Sequence, residues 1–592
     1  MRWAGVGFVH GALVYGGLIS LLHVVHNRMP SVRDAVVLLA ISALVYGTAG
    51  AAIFAGGGIA GRLGCRLVPS RWGRAGRDGG LLWPAFTFTL AFWYFYFNYA
   101  LSYDQLPMVD DPDVRHILVL LAVRSVLVGV CAWGVAWLFN AIWQALARRS
   151  QTAAACTVAL LALVAAHVAA AWRYQVPAEP SATLEDVPRL ETAADAAPKV
   201  VLLGIDGAEW SVIHELLERG ELTHLRRYVD EGSTGNLNTI PDANSPLIWA
   251  SIYTGEPPDE HSIHDFYTIR LPGMSDRGFY PVHRTYFKEI VGVLESIGVA
   301  RRVTVDRSNL RSVLLWEAAY GMGRDIGVVD GYYYSFPTPE LGEDAGFYLA
   351  YGASEYLASV RDNDRDEALD GLFAHPATLL KEQRPQGKDF AWQSKALLSL
   401  LDAGDQPAFV NLYTHEPDSS QHWYWKWYQP KYYLGVRDSD IEEFGSIVPD
   451  FYREFDAFLG ELEERIDDDT IVMIVSDHGH VPCILHQHMQ TWHRHGPPGV
   501  VLMRGGPVKK GHTIADAHVF DVFPTVLHLL GLPVPEDGDG KVLTEALEPG
   551  ATQVETIPSY DFLYERFAVT SSKGSAARNE AELERLRNLG YI

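Results

Sequence analysis

Cysteine is scarce in this chain: of 592 residues four are cysteine, Cys65, Cys131, Cys156 and Cys483, and only Cys483 lies beyond residue 173. The long C-terminal part therefore cannot close an internal disulfide even in an oxidising compartment, and must rely on an ordinary buried core. Lysine and glutamate are missing altogether from residues 1–173, which carry thirteen arginines and six aspartates. The other 419 residues hold 35 basic and 66 acidic side chains, so a segment of net charge +7 is followed by one of −31. Such a split excludes a single globular domain. The acidity of the larger part also excludes a nucleic-acid polyanion as an electrostatically captured partner, nucleotide-sized substrates aside. No internal repeat and no long low-complexity tract is present. What is there reads as a membrane region (1–173), a linker (174–198) and a large acidic soluble domain (199–592).

Five apolar stretches are long enough to cross a bilayer at about 20 residues each: roughly 3–25, 34–59, 81–103, 116–142 and 152–172. The first lacks a small-residue cleavage box before His26-Asn27-Arg28 and is expected to be a retained anchor. Arg62, Arg66, Arg71, Arg74 and Arg77 follow the second stretch, and Arg148 and Arg149 follow the fourth, whereas the loop after the third holds Asp104, Asp110, Asp111 and Asp113. Positive loops stay in the cytoplasm, which places the N-terminus inside and the soluble domain outside, periplasmic or extracellular. Arg124, within the fourth stretch, reads first as a snorkelling or helix-paired arginine and second as an intramembrane site. The aromatic run Phe92–Tyr99 reads as an interfacial belt.

Residues 174–198 are rich in Pro, Ala and Glu without a period, as in a short extended stalk. Continuous apolar runs of strand length then recur at Lys199–Ile205, Ala408–Tyr413, Thr470–Val475 and Val500–Met503, each expected to be a buried parallel strand. Amphipathic helical patterns lie between them, at Trp210–Leu217, Leu310–Tyr320, Val448–Arg465 and Val522–Leu530. The alternation predicts a doubly wound α/β sheet, in which ligands sit beyond the carboxyl ends of the strands. Asp206 and Asp477 fall at such ends, and Asp418 shortly after a third.

Five short segments could carry chemistry. Asp206 closes the first strand. In Asn244-Ser245-Pro246, Ser245 suits an N-cap and Pro246 a first helical residue, giving a short helix Leu247–Tyr253 that ends near Gly255. In His415–His422, Asp418 and His422 are four residues apart and converge on one cation if a helix starts there. Ser476-Asp477-His478-Gly479 ends another strand, and His495 stands four residues before Gly499 and a further strand.

In this order the segments resemble the alkaline phosphatase superfamily, most closely its type I phosphodiesterase and nucleotide pyrophosphatase branch. The resemblance runs from Lys199 to near Glu548 and includes Asp521-Val522-Phe523-Pro524-Thr525 and Gly531-Leu532-Pro533 late in the domain. It implies an alkaline-phosphatase-like α/β domain, a nucleophilic Ser245, and two divalent metal ions, zinc or, where carboxylates dominate, manganese. By position one ion would be held by Asp206, Ser245, Asp477 and His478, the other by Asp418, His422 and His495. Two departures stand out. Where the branch often has H-G-I after the nucleophile, this chain has His261-Ser262-Ile263, with His261 and His264 read as structural. Ser245-Pro246-Leu247 also lacks the C/S-x-P-x-R context of a sulfatase, although the tail Leu586–Ile592 is similar to tails of that branch.

The expected activity is that of a membrane-anchored, extracytoplasmic, metal-dependent phosphodiesterase working through a phosphoserine. Metal coordination favours the serine alkoxide, and paired cations can clamp the attacking and leaving oxygens. An alternative is a phosphotransferase that moves a phospho-head group to or from a lipid or glycan, since the membrane plan resembles that of lipid phosphoethanolamine transferases and lipoteichoic acid synthases. A third reading is a non-catalytic membrane scaffold. The segment from Tyr267 to about Gln406 is expected to supply substrate-facing insertions.

Overall fold

The computed structural model describes residues 7–67, 152–173, 198–331, 348–349 and 389–564, short gaps aside, together with Val130 and Leu583. The chain divides into two compact units, one of Met1–Ala178 with Tyr267–Val303 and one of Glu179–Phe266 with Thr304–Ile592.

In the first unit two helices among the described residues are long and apolar enough to cross a membrane, Gly7–His26 of 20 residues and Val32–Ala52 of 21. They match the first two expected spans. The helix Thr152–Arg173, of 22 residues, coincides with the fifth stretch, and its apolar portion among the described residues is Val158–Arg173. The third and fourth stretches, with Arg124 and the aromatic run, lie outside the described residues, as do the linker and the tail. Five spans are therefore not established; two candidates are. The first pair packs closely because glycines face backbone: a Cβ on Gly11 would strike the Tyr46 carbonyl, and one on Gly50 the Gly7 carbonyl. Tyr267–Val303 belongs to this unit rather than to the soluble one. It holds a strand, Tyr267–Arg270, and a helix, Phe287–Ser296.

The second unit is built on an eight-stranded sheet. Its strands are β1 (Val200–Ile205), β2 (Ser233–Asn238), β3 (Ile326–Val329), β4 (Tyr348–Leu349), β5 (Phe409–Thr414), β6 (Ile471–Val475), β7 (Gly499–Arg504) and β8 (His512–His518), in the spatial order β8-β2-β7-β6-β1-β5-β3-β4. β1 runs parallel to both β5 and β6, and all three are fully buried, as continuous apolar runs require. β7 is the exception to the all-parallel expectation: it pairs antiparallel with β6 and with β2. No crossover helix joins β6 to β7 among the described residues. The chain turns at the end of β6, where the Ser476 amide donates to the Val500 carbonyl, and must run back. The sheet is thus mixed.

Helices cover both faces. On one, α1 (Trp210–Glu218), α2 (Thr223–Glu231), α5 (Asp389–Asp402) and α7 (Ile447–Glu463) pack Leu216, Leu225, Leu397, Phe455 and Leu459 against Val201, Leu203, Val410, Leu412, Val472 and Ile474. On the other, α3 (Ser245–Thr254) and α4 (Leu315–Gly321) set Trp249 edge-on to Tyr413 at 4.9 Å and Tyr253 edge-on to Trp316 at 4.8 Å. Two more helices complete the set used below, α6 (Glu416–Tyr428) and α8 (Val522–Leu529). The four helical patterns read from the sequence thus correspond to α1, α4, α7 and α8. Asp456, on α7, caps a different helix: its carboxylate accepts from the amides of Thr223, His224 and Leu225 at 2.7–3.0 Å, the otherwise orphaned donors of α2.

Candidate active site

The carboxyl ends of β1, β5 and β6 lie side by side, and each delivers an acid to one place. Asp206 ends β1, Asp477 follows β6 by two residues, and Asp418 sits in the first turn of α6 just after β5. The Asp418 amide donates to the Asp206 carbonyl at 3.1 Å, so the β1 and β5 turns are fastened to each other. Gly207 makes this possible. Its φ is +73°, and a Cβ there would lie 2.6 Å from the His480 ring and 2.9 Å from Asp418 Cα.

Ser245 is brought in by α3. The structure places the cap one residue earlier than the sequence suggested: Asn244 is extended at φ −101° and ψ 156°, its carbonyl accepts from the Leu247 and Ile248 amides, and Ser245 is already helical. The Asn244 side chain donates to Asp265 at 3.0 Å. Relieved of capping, the Ser245 hydroxyl points into the acidic pocket, 3.5 Å from Asp206 Oδ1 and 3.1 Å from His478 Nε2. Asp206 Oδ2 accepts from the Tyr413 hydroxyl at 2.7 Å and from Trp249 Nε1 at 3.1 Å, which fixes its rotamer.

Three groups of possible ligands have their donor atoms within 4.8 Å of one another: Asp206, Asp477 and His478; Asp418, His422 and His480; and Asp418, His478 and His493. All seven residues are buried. Six of the seven side chains expected from the sequence are therefore brought together, Asp206, Ser245, Asp418, His422, Asp477 and His478. His495 lies outside the described residues. His480 and His493 were not chosen from the sequence, and both stand in the cluster. His480 Nε2 is 3.1 Å from Asp418 Oδ1, and the His493 ring stacks on His478 at 4.3 Å. The signal for His480 was present in Ser476–His480, where a second histidine follows two residues after the expected ligand. For His493 the competing spacing of His495 to Gly499 pointed elsewhere.

Second contacts orient the rings. His422 Nδ1 faces the Thr491 carbonyl at 2.9 Å, the His480 amide donates to Glu209 Oε2 at 2.7 Å, and Glu209 also accepts from the Ser211 hydroxyl. Burial together with the charge of Asp418 pushes Asp206 up to about 8, and burial with the charges of Asp206 and Asp418 carries Asp477 well above the usual carboxylate range. Burial likewise lowers His478 to about 3 and holds His480 and His493 below the ordinary histidine value. Burial also opposes the charged forms of Asp418 and His422, but their mutual attraction at 3.3 Å prevails, holding Asp418 down and His422 up. Nδ1 of His478, His480 and His493 has no hydrogen-bond partner though buried. Imidazoles held neutral at His478, His480 and His493, with crowded buried carboxylates beside them, are what a pair of divalent cations requires. The donor set fits.

His261 is structural, as expected. Its ring accepts from the Ile263 amide through Nδ1 at 3.1 Å, so Nε2 carries the proton facing the Ser251 hydroxyl on α3 at 3.0 Å. The next residue, Ser262, keeps a left-handed backbone, φ 67° and ψ 14°, where the related segments have glycine.

A family model described as type I phosphodiesterase / nucleotide pyrophosphatase matches residues 200–522. No curated relative matches the chain. Among solved structures, murine ectonucleotide pyrophosphatase / phosphodiesterase 5, in complex with AMP, is 12% identical, with a TM-score of 0.39 over 58% of this chain and 97% of that one. A phosphonate monoester hydrolase from Silicibacter pomeroyi is 16% identical, with a TM-score of 0.35 over 59% of this chain and 76% of that one. A phosphonoacetate hydrolase from Sinorhizobium meliloti is 20% identical, with a TM-score of 0.30 over 48% and 57%.

Proposed function

The chain belongs to the type I phosphodiesterase / nucleotide pyrophosphatase family and is a phosphoric ester hydrolase; from that premise we propose that it is a metal-dependent phosphodiesterase, held at a membrane by its N-terminal helices with the catalytic unit outside the cytoplasm. The observation that carries the reading is the placing of one hydroxyl, Ser245 Oγ, against a buried set of three carboxylates and four imidazoles.

In this reading Ser245 Oγ bonds to phosphorus as the bond to the leaving alcohol breaks, and water then releases phosphate ester from the phosphoserine. Asp206, Asp477 and His478 would hold one ion beside Ser245, and Asp418, His422 and His480 would hold a second, with His493 placed beside Asp418 and His478. Zinc suits this mixture, and manganese where the carboxylates dominate. Bound dications would favour the serine alkoxide and neutralise charge on the phosphoryl oxygens. Tyr413 and Trp249 keep Asp206 in place, and the first turn of α3 turns its amides toward the developing negative charge.

The outside location is supported by the arginine-rich loops and by a contact in the first unit. Asn27, at the end of the first helix, donates through its side chain to the Tyr280 carbonyl at 3.0 Å and accepts from the Tyr280 amide at 2.5 Å. The chain between the nucleophile segment and β3 is thus pinned to the loop that positive-inside counting places outside. The same contact favours a second reading, transfer of a phospho-head group to or from a lipid or glycan, because it ties the catalytic chain to the membrane helices.

The test uses the full chain in detergent. Wild type should hydrolyse an aryl phosphodiester with bound metal and Ser245→Ala should not; turnover at the wild-type rate in that variant would remove Ser245 as nucleophile. Labelled phospholipid, added with an acceptor alcohol, separates the readings: free head group alone rejects transfer.

A further inference from the structure

Soluble folds expose scattered apolar side chains, yet the second unit exposes no large hydrophobic residue among those described. Every such exposed side chain in the described protein belongs to an N-terminal helix, Leu18, Leu22, Val25, Leu44 and Leu161 among them, with two exceptions. Those are Val293 and Ile297, which are 62% and 65% exposed. They stand four residues apart, Val293 in the last turn of the helix Phe287–Ser296 and Ile297 in the turn that follows it. Val291 and Leu294, beside them in the sequence, are buried.

The residues on either side of each member of the pair are uncharged. Gly292, Ser296 and Gly298 are the exposed neighbours in sequence. The nearest acid in sequence, Glu295, is occupied by Arg302, whose guanidinium lies 3.0 Å away and whose amide also bonds to it. This helix belongs to the unit of the membrane helices, and its own segment is tied to their ends. Beyond the Asn27–Tyr280 pair, the His23 ring meets Phe279 edge-on at 5.5 Å, and Gly273 lies against Val37 at the start of the second helix. Phe279 is in turn bridged to Ile269 of the Tyr267–Arg270 strand.

We propose that Tyr267–Val303 is an interfacial element whose Val293–Ile297 face enters the lipid bilayer. The occupant is lipid because the segment that carries the pair is tied, within one unit, to the ends of helices that expose the same kind of side chain, and because nothing else described in the protein exposes it. The depth expected of such a face is about 5–10 Å into the boundary between head groups and acyl chains. The proposal rests on the membrane reading above and adds to it a second point of contact, in the stretch of chain between the nucleophile segment and β3.

The experiment is depth-dependent quenching on the full chain in nanodiscs. In a background with Cys65, Cys131, Cys156 and Cys483 replaced by serine and activity retained, an environment-sensitive fluorophore is placed at Val293→Cys, Ile297→Cys, Leu44→Cys or Glu442→Cys. Leu44 reports on the second helix and the exposed Glu442 on water. The expected result is blue-shifted emission at 293 and 297, mostly lost to a quencher carried near the lipid head groups and lost less to one at the chain end, with Glu442 unaffected. Quenching at Leu44 but not at 293 or 297 overturns the proposal, leaves the membrane reading standing and assigns the face to a protein partner. No quenching at any position overturns both.

Discussion

The crowding of Asp206, Asp418 and Asp477 makes a prediction that runs against the usual effect of removing a buried, hydrogen-bonded acid. Asp206 rises from 3.8 to about 8, first through burial and second through Asp418, against the opposing hydrogen bonds of Tyr413, Asp477 and Trp249. A carboxyl raised on folding stabilises fully below its unfolded value, and that contribution is lost as pH climbs toward the folded value. Above the unfolded value each pH unit costs about 1.4 kcal/mol until the folded group ionises, so between pH 6 and pH 9 the metal-free protein should lose roughly 2–3 kcal/mol through this one group. Asp206→Asn removes the loss. Its carbonyl can still accept from Tyr413 and Trp249, while the amide nitrogen turns toward Ser245. Metal binding reverses the ordering, because an ion at 100 times its dissociation constant adds about 2.7 kcal/mol to wild type and nothing comparable to a protein lacking that carboxylate. The assay is thermal unfolding of full-length protein in detergent, at pH 6 and pH 9, with chelator or with added zinc or manganese. Wild type in chelator should melt several degrees lower at pH 9 than at pH 6, Asp206→Asn should show a shallower decline, and metal should rescue wild type alone. A metal-free Asp206→Asn protein that melts below wild type at pH 9 would refute the reasoning.

Other outcomes follow from single contacts. Ser262→Gly should raise stability by about 0.5–1 kcal/mol, because a left-handed serine costs roughly 1–2 kcal/mol and glycine returns part of that as unfolded-chain entropy; calorimetry checks it, and turnover should be unchanged. Asp456→Ala strips three amides at the start of α2 of their acceptor and should cost about 1–3 kcal/mol, read in denaturant midpoint. The buried pair of Arg307 and Glu317, with Nε to Oε1 at 2.7 Å and Nη2 to Oε2 at 2.8 Å, is sealed from water on both sides. Glu317→Ala leaves that guanidinium uncompensated and should cost about 3–5 kcal/mol, most of it recovered when Arg307→Met is added.

The legible part of this protein was the part written as continuous apolar runs. β1, β5 and β6 declared themselves, and with them the strand ends that place Asp206, Asp418 and Asp477. An apolar run carries no direction, so β7 was found in position but not in orientation; the short return from β6 decides that. β2 and β8, with the sequences Ser-Thr-Gly-Asn-Leu-Asn and His-Thr-Ile-Ala-Asp-Ala-His, have no run to recognise and owe their pairing to the strands beside them. The histidines divide in the same way. His422 is set by helical spacing from Asp418 and His478 by its place at a strand end, whereas the stretch 476–498 holds six histidines without a period, and it is the folded chain that brings His480 and His493, among the described ones, to the cluster. Ser262 shows the reverse case, in which a residue departs from the expected glycine and the backbone keeps its shape at the cost of strain.

The central position of β1 has a consequence for biogenesis. Its neighbours, β5 and β6, follow it by some two hundred residues or more, and the loop that supplies His493 comes later still. An emerging polypeptide thus holds a naked, sticky ribbon for more than a third of synthesis, with the acid at its end waiting for companions that have yet to leave the ribosome. Translation stalled anywhere before Val475 should yield an aggregation-prone product that no added zinc can rescue, because the cradle for the ion is completed last.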